Sequence, residues 1–265
     1  MESKPPSRSR HILARVGIAA AAMGLFLLLR PDALKLVLVQ LIAVLSVPVQ
    51  ARAAYRHDIT PPALIEEYVR ENKIRKLQIG AGDNSYPGWL NTDIEPSKDQ
   101  AYLDASKPFP LPDSSFQYIF SEHVIEHLTY GQAVSMLKEC HRVLTPGGRI
   151  RIATPNLMKL LELFQKMPSE EIQRYMQRKQ EWHAWPQMPD PACYILNSEM
   201  RWFGHQFLYT PKMLHSTLEG AGFGDVKQFD VGESDDPTLS GLEARSHTNY
   251  KDVNVYETMI FQGVR

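Results

Sequence analysis

Cysteine is scarce in this 265-residue sequence: Cys140 and Cys193 are the only two. Two thiols exclude a disulfide framework, and an all-cysteine zinc site would need four thiolates. An excess of one charge sign is lacking as well. The 29 Lys and Arg against 30 Asp and Glu leave a formal net charge of −1. Wholesale nucleic-acid binding, which shows as a basic excess, is therefore not expected. No internal repeat and no low-complexity block appears. What is present is 43% hydrophobic and 22% charged sequence, enough for a sizeable core. The length suits one ordinary domain plus an extension.

The extension is N-terminal. Lys4, Arg8, Arg10 and Arg15 precede two apolar runs, Val16–Leu29 and Leu34–Val49, divided by Arg30-Pro31-Asp32. A spanning helix needs about 20 apolar residues, so each run is slightly short. Three readings compete: a signal peptide cleaved after Ala51-Arg52-Ala53, a membrane anchor with its basic flank in the cytoplasm, or an amphipathic or transit-type segment or simply helices packed on the domain. Residues 1–54 are expected to form this hydrophobic, helical extension, with membrane association through residues 12–49. Residues 55–265 are expected to form the main domain.

Within that domain short apolar runs alternate with helical patterns. Lys76–Ile79, Trp89–Asp93, Ala101–Asp104, Phe116–Phe120 and Arg149–Ala153 read as strands, and Val226–Val231 and Val253–Phe261 as two more. Ala63–Asn72, Gln132–Leu144, Leu157–Met167 and Lys212–Ala221 read as helices. Such alternation predicts an α/β fold with a mostly parallel sheet covered by helices on both faces. Ligands of such sheets sit at the carboxyl ends of the strands. Those ends carry Gly80-Ala81-Gly82-Asp83, Asp93, Asp104, Ser121-Glu122-His123 and Thr154-Pro155-Asn156, a rim of glycines and polar residues.

Gly80 and Gly82 let the backbone turn sharply and approach a ligand without a Cβ in the way. Asp93, at the end of the next strand, can accept two hydrogen bonds from a ribose diol. The dinucleotide fingerprint requires a third glycine where Ser85 stands and an acid about 20 residues on. NAD is therefore disfavoured and a nucleoside is not.

The order IGAG, GWLNTD, YLDASKPFPLPDSSFQYIFSEHVIEHL and RVLTPGGRIRIATPN resembles the class I S-adenosylmethionine-dependent methyltransferases, most of all the type 11 group. The resemblance is strong over about residues 74–160 and looser through FGHQFLYTPKMLHSTLEGAGF. It implies a Rossmann-like, doubly wound, seven-stranded sheet with an antiparallel C-terminal strand. It also implies roles. Gly80, Ala81 and Gly82 would pass under the methionine part of S-adenosylmethionine, Asp93 would hold the ribose, and Asp104 with Ala105 would meet the adenine. Ser121, Glu122 and His123 would line the cofactor and face the acceptor. The sequence departs from the family pattern at Gln78, where an acid is usual, and at Asn84, near which a third glycine is usual. Gln78 can still hydrogen-bond the loop. The implied partner is a small-molecule, saccharide or lipid acceptor. A cytoplasmic location, with an anchor at the N-terminus, fits a cofactor made in the cytoplasm.

His123-Val-Ile-Glu126-His127 matches the H-x-x-E-H string of one class of zinc peptidases. On a helix, histidines four apart share a face. The string instead follows a strand at a nucleotide-type rim, and no third ligand stands out, although Glu199 can be nominated. No metal is assigned. His127 is expected to be a buried, satisfied histidine, while His123 and His205 are the candidates for a general base. Residues 168–205 are expected to form a cap or insertion over the pocket. Trp202, Phe203, Phe207 and Tyr209 are expected to be either substrate wall or core, and Arg174–Glu181 a solvated helix face. Glu243 and Arg245 are read as binding either substrate or each other.

Overall fold

The computed structural model describes residues 62–243 and 251–265. The predicted apolar runs and the N-terminal extension lie outside them, as does Arg245. Among the described residues no helix is long and apolar enough to cross a membrane.

Seven strands form one sheet: β1 (Lys76–Ile79), β2 (Leu90–Asp93), β3 (Ala101–Tyr102), β4 (Phe116–Glu122), β5 (Leu144–Pro155), β6 (Gly224–Phe229) and β7 (Thr258–Val264). Their order is β3-β2-β1-β4-β5-β7-β6. The first five are parallel to one another, and β7 runs antiparallel to both β5 and β6. The seven strands and the reversed final strand are those expected. The chain runs outward from β1 to β2 and β3, then crosses back to β4 on the other side of β1, which opens the switch-point crevice at the carboxyl ends of β1 and β4,.

Helix α1 (Pro62–Glu71) precedes the sheet, and α2 (Tyr130–Val143) links β4 to β5. Thr129 and Gln132 close a capping box at the start of α2, each satisfying a backbone N–H of the other,. Buried Ala133, Met136, Leu137, Cys140 and Val143 of α2 pack with Leu77, Ile79, Ile119, Ile150 and Ile152 of the sheet. Leu214 and Leu218 of α6 (Pro211–Gly220) join the same core.

The opposite face departs from expectation. The crossovers from β1 to β2, β2 to β3 and β3 to β4 contain no helix; a parallel crossover needs about a dozen residues to hold one. At β4, Phe120 on that face is instead covered by Trp89, Leu239 and Leu242, with Tyr86 and Tyr118 packed alongside. Arg151 of β5 is fully buried against Glu243, Nε to Oε1 2.6 Å. Glu243 therefore pairs with the sheet.

Other boundaries moved too, and the helix expected over Leu157–Met167 ends at Glu162. Leu144–Gly148, expected as helix end and turn, belongs to β5, where a register shift against β4 accommodates it. Residues 253–257, expected as strand, are the end of helix α7 (Lys251–Glu257). An apolar run this short does not distinguish a buried helix from a buried strand. The helix packs with α3 (Leu157–Glu162), α4 (Glu170–Trp182) and α5 (Pro191–Arg201) around a second core of Leu160, Ile172, Tyr175, Ile195, Val253 and Tyr256. Residues 168–205 thus contribute two helices to a core that they share with α3 and α7.

Candidate active site

Two sub-sites meet at the carboxyl ends of β1 and β4. The first is the turn after β1. Gly80 and Gly82 both have positive φ, 72° and 54°, the left-handed region that costs other residues free energy. A Cβ on Gly80 would stand 2.2 Å from Val124 Cγ2, so glycine lets the segment after β4 close on the loop. A Cβ on Gly82 would meet nothing within 4 Å, so this part of the loop faces open space. The loop is pinned by Ala81 N–H to Thr92 O at 2.9 Å and by Gly82 N–H to Asp93 Oδ2 at 2.8 Å. Asp93 Oδ1 accepts Glu95 N–H. Gln78 Nε2 donates to Asn84 O at 2.8 Å, bracing the loop as expected for a residue standing where the family carries an acid.

Further along the rim, Asp104 Oδ1 accepts both Ser106 N–H and Ser106 Oγ–H, which fixes the turn that buries Ala105. Ser121 pairs in the sheet with Ile79 and Ile152, and its buried Oγ has no hydrogen-bond partner among the described residues. Glu122 ends β4, half-buried. The sequence-assigned cofactor positions therefore share one rim. Its features suit a nucleoside with a flexible polar tail: an open glycine loop, a fixed carboxylate beside it and an unsatisfied buried hydroxyl.

The second sub-site is a cavity of about 260 Å³ beneath α4 and α5. His123, His127 and His205 line one side, with His183 and the aromatic faces of Trp182 and Phe203 on another. His123 is a non-glycine residue at φ 52°, a strained geometry of the kind that clusters at functional sites. Its Nδ1 lies 2.9 Å from Glu126 Oε1 and its Nε2 3.3 Å from Thr258 Oγ1. Glu126 is fully buried, and its Oε2 accepts Thr154 Oγ–H at 3.0 Å. Burial alone would push the Glu126 carboxyl up. His123 at hydrogen-bond distance, with His127 nearby, outweighs that and brings it down to about 2.

His205 Nδ1 sits 2.5 Å from the Glu199 carbonyl oxygen. A carbonyl only accepts, so Nδ1 carries the hydrogen and Nε2 the lone pair. Burial lowers the His205 imidazole to about 4. The His127 and His205 rings meet edge to face, 4.8 Å between centroids. His127 is half-buried on the cavity wall, where a buried, internally satisfied residue was expected. The H-x-x-E-H string also departs from its helical reading. Ile125–His127 is a single 3-10 turn, and His123 stands before it in left-handed backbone. The two histidines therefore do not share a helix face.

The cavity floor is charged. Lys179 Nζ lies 2.7 Å from Glu199 Oε1 and 2.6 Å from Glu257 Oε2, all three nearly inaccessible to solvent. Tyr175 Oη donates to Glu257 Oε2 at 2.7 Å. Burial pushes Glu257 up, but Lys179 and the Tyr175 hydroxyl outweigh it and hold it below its usual range. Burial keeps Glu199 above its own. In the stretch 174–181, expected to be solvated, Tyr175 is buried and so, with its charge, is Lys179. Its spacing from Ile172 and Tyr175 on one buried face of α4 is the signal that could have revealed it,. Nothing local marks Glu257 or Thr258. Of the four aromatics after Arg201, Phe203 lines the cavity, Tyr209 is core, Phe207 packs against the core and Trp202 is exposed.

Residues 77–152 match the family model described as a methyltransferase domain, Methyltransf_11. A probable S-adenosylmethionine-dependent methyltransferase of Mycolicibacterium smegmatis is 49% identical over 47 residues. That stretch is 18% of this chain and 18% of the relative, so the match spans about a fifth of the relative's length. Among solved structures, a SAM-dependent methyltransferase from Archaeoglobus fulgidus is similar over 82% of this chain and 94% of its own, at 17% identity and TM-score 0.45. Another, from Mesorhizobium loti, is similar over 77% and 99%, at 14% identity and TM-score 0.43.

Proposed function

We propose that this chain, which carries a type 11 methyltransferase domain, transfers a methyl group from S-adenosylmethionine to an acceptor seated in the histidine-lined cavity. The observation that carries this reading is the open Gly80–Gly82 turn locked to Asp93. Gly80, Ala81 and Gly82 would hold the methionine part of the cofactor. Asp93 would take the ribose hydroxyls on the lone pairs its two backbone hydrogen bonds leave. Asp104 with Ala105 would take the adenine, and Ser121 and Glu122 the inner wall. When bound, the sulfonium supplies an electrophilic methyl group and departs as a neutral thioether.

His123 is the residue best placed to serve the acceptor. With the Glu126 carboxylate on Nδ1, that nitrogen keeps its hydrogen and Nε2 is left as the base,. Thr258 Oγ1 lies within reach of Nε2 and of Asn254 Oδ1, so its hydroxyl can turn from one to the other. An acceptor O–H would give its proton to Nε2 as the oxygen–methyl bond forms. His205, with its Nδ1–H tied to a carbonyl, shapes the wall and presents Nε2. Aromatic faces beside a buried charged floor suit a small acceptor with both apolar and polar parts, of small-molecule, saccharide or lipid class.

The test is calorimetric titration of the full chain with S-adenosylmethionine, beside Asp93→Ala. Saturable binding is expected, weakened about 100-fold in the variant, the loss of one or two charge-assisted hydrogen bonds. No binding to folded wild-type protein would end this reading.

A further inference from the structure

Glu126, His127 and His205 bring one ligand atom each to within 4.8 Å of one another; the two histidines line the cavity and Glu126 is buried beside it. This trio is absent from the H-x-x-E-H string, because its third member comes from the far side of the cap. Gln206 and Phe207 N–H both donate to Glu126 O, and Gln206 Nε2 donates to His127 O. The strap after α5 is thus sewn to the 3-10 turn, which delivers His205 beside His127. Gly204, at φ 80°, lets the strap turn there; even a Cβ at that position would stand 3.6 Å from His127 Nδ1.

Two of the three members are prepared from behind. The Glu199 carbonyl fixes the His205 tautomer, leaving Nε2 as a donor atom. His123 and Thr154 orient the two Glu126 oxygens, and each oxygen retains a lone pair beyond the bond it accepts,. A metal-ligating histidine usually donates its other nitrogen to a carbonyl or carboxylate, and ligating carboxylates are themselves hydrogen-bonded. Donor atoms around a four-coordinate ion with bonds of about 2 Å stand roughly 3–4 Å apart. Small rotations of two imidazoles span the remainder.

We propose that Glu126, His127 and His205 bind one divalent transition-metal ion, of which Zn2+ is the reference, at the wall of the acceptor cavity. Two imidazoles and one carboxylate favour such an ion over Mg2+ or Ca2+, which take oxygen ligands. Three protein ligands leave positions open toward the cavity, where an acceptor oxygen can be held and made more acidic. That last role rests on the methyltransferase reading; the binding does not.

The experiment uses the full-length chain, stripped with chelator and titrated with Co2+ as a coloured stand-in, then with Zn2+ in competition. One equivalent of Co2+ with visible absorption bands, displaced by Zn2+, is expected. His127→Ala and His205→Ala should each weaken binding at least about 10–100-fold, the range that loss of a mere supporting residue already gives. His215→Ala, whose side chain is 41% exposed and paired with Glu219, should change nothing. If the cavity variants misfold, histidine NMR of the wild type decides: Mn2+ should broaden the His127 and His205 ring signals before the others. Absence of stoichiometric uptake, unchanged affinity in both folded variants, or first broadening at other histidines overturns the site. S-adenosylmethionine titration of the same samples separates the two ideas. Cofactor binding without metal uptake overturns the metal site alone; metal uptake without cofactor binding overturns the methyltransferase reading and leaves the site standing.

Discussion

The glycine turn and the histidine-lined cavity adjoin at the ends of β1 and β4, but they are assembled differently. The turn is local. Gly82 and Asp93 are 11 residues apart, and most contacts that shape the loop are made by backbone atoms. The cavity is non-local. Lys179 meets Glu257 across 78 residues, and Gln206 meets His127 across 79. Its contacts join side chains, many charged and buried, to one another and to backbone carbonyls. A cofactor common to many enzymes can be held by a short, repeated backbone device. The cavity is walled by helices whose core is separate from that of the sheet, so its lining can vary while the sheet stays fixed.

The sharpest break in that contrast should come from the cavity floor. Lys179→Met leaves Glu199 and Glu257 buried without their cation, a loss of about 3–5 kcal/mol. Chemical denaturation should show it, while the folded fraction keeps its affinity for S-adenosylmethionine. Adding Glu199→Gln and Glu257→Gln should recover most of the loss, because the buried charges then go together. Next in size, His123→Gln should lower kcat about 10²–10⁴-fold on a verified acceptor, the usual worth of a general base. Calorimetry should find its cofactor affinity unchanged; wild-type turnover would remove His123 from the chemistry.

Smaller effects belong to the turn. Asp93→Ala should change stability less than Lys179→Met does, while showing the roughly 100-fold cofactor effect above. Gly80→Ala puts a Cβ against Val124 in left-handed backbone. It should cost about 1–3 kcal/mol and weaken cofactor binding about tenfold, read by thermal melt and calorimetry. The smallest test probes the two regions' surfaces. Cys193 is exposed on α5, while Cys140 is buried in α2 with its thiol pushed up by that burial. One equivalent of thiol reagent should react with the native protein and two after unfolding.

Much of the glycine turn was legible in the sequence because its devices are short. Glycines before an acid-ended strand and Gln78 facing the loop all act within a few residues of where they stand. The alternation of strands and helices pointed to a mostly parallel sheet, and the seven strands with a reversed last one were implied by the family resemblance; the strand order came from the structure. The helix at 251–257 was misread because a short apolar run packs equally well as helix or strand. Lys179 was misread because a charged stretch hides one buried member when its partners lie elsewhere in the chain.

By itself the sequence determined the alternation of elements, the glycine turn with its acid, and the candidate histidines. Each of these depends on backbone conformation or spacing over a few residues. Only the tertiary structure decided that His205 stands beside His127, that Glu126 belongs to His123 and Thr154, and that one buried lysine serves two distant carboxylates. Such pairings are set by how the cap helices dock on the sheet, and no local preference along the chain encodes which distant side chains will share one desolvated space.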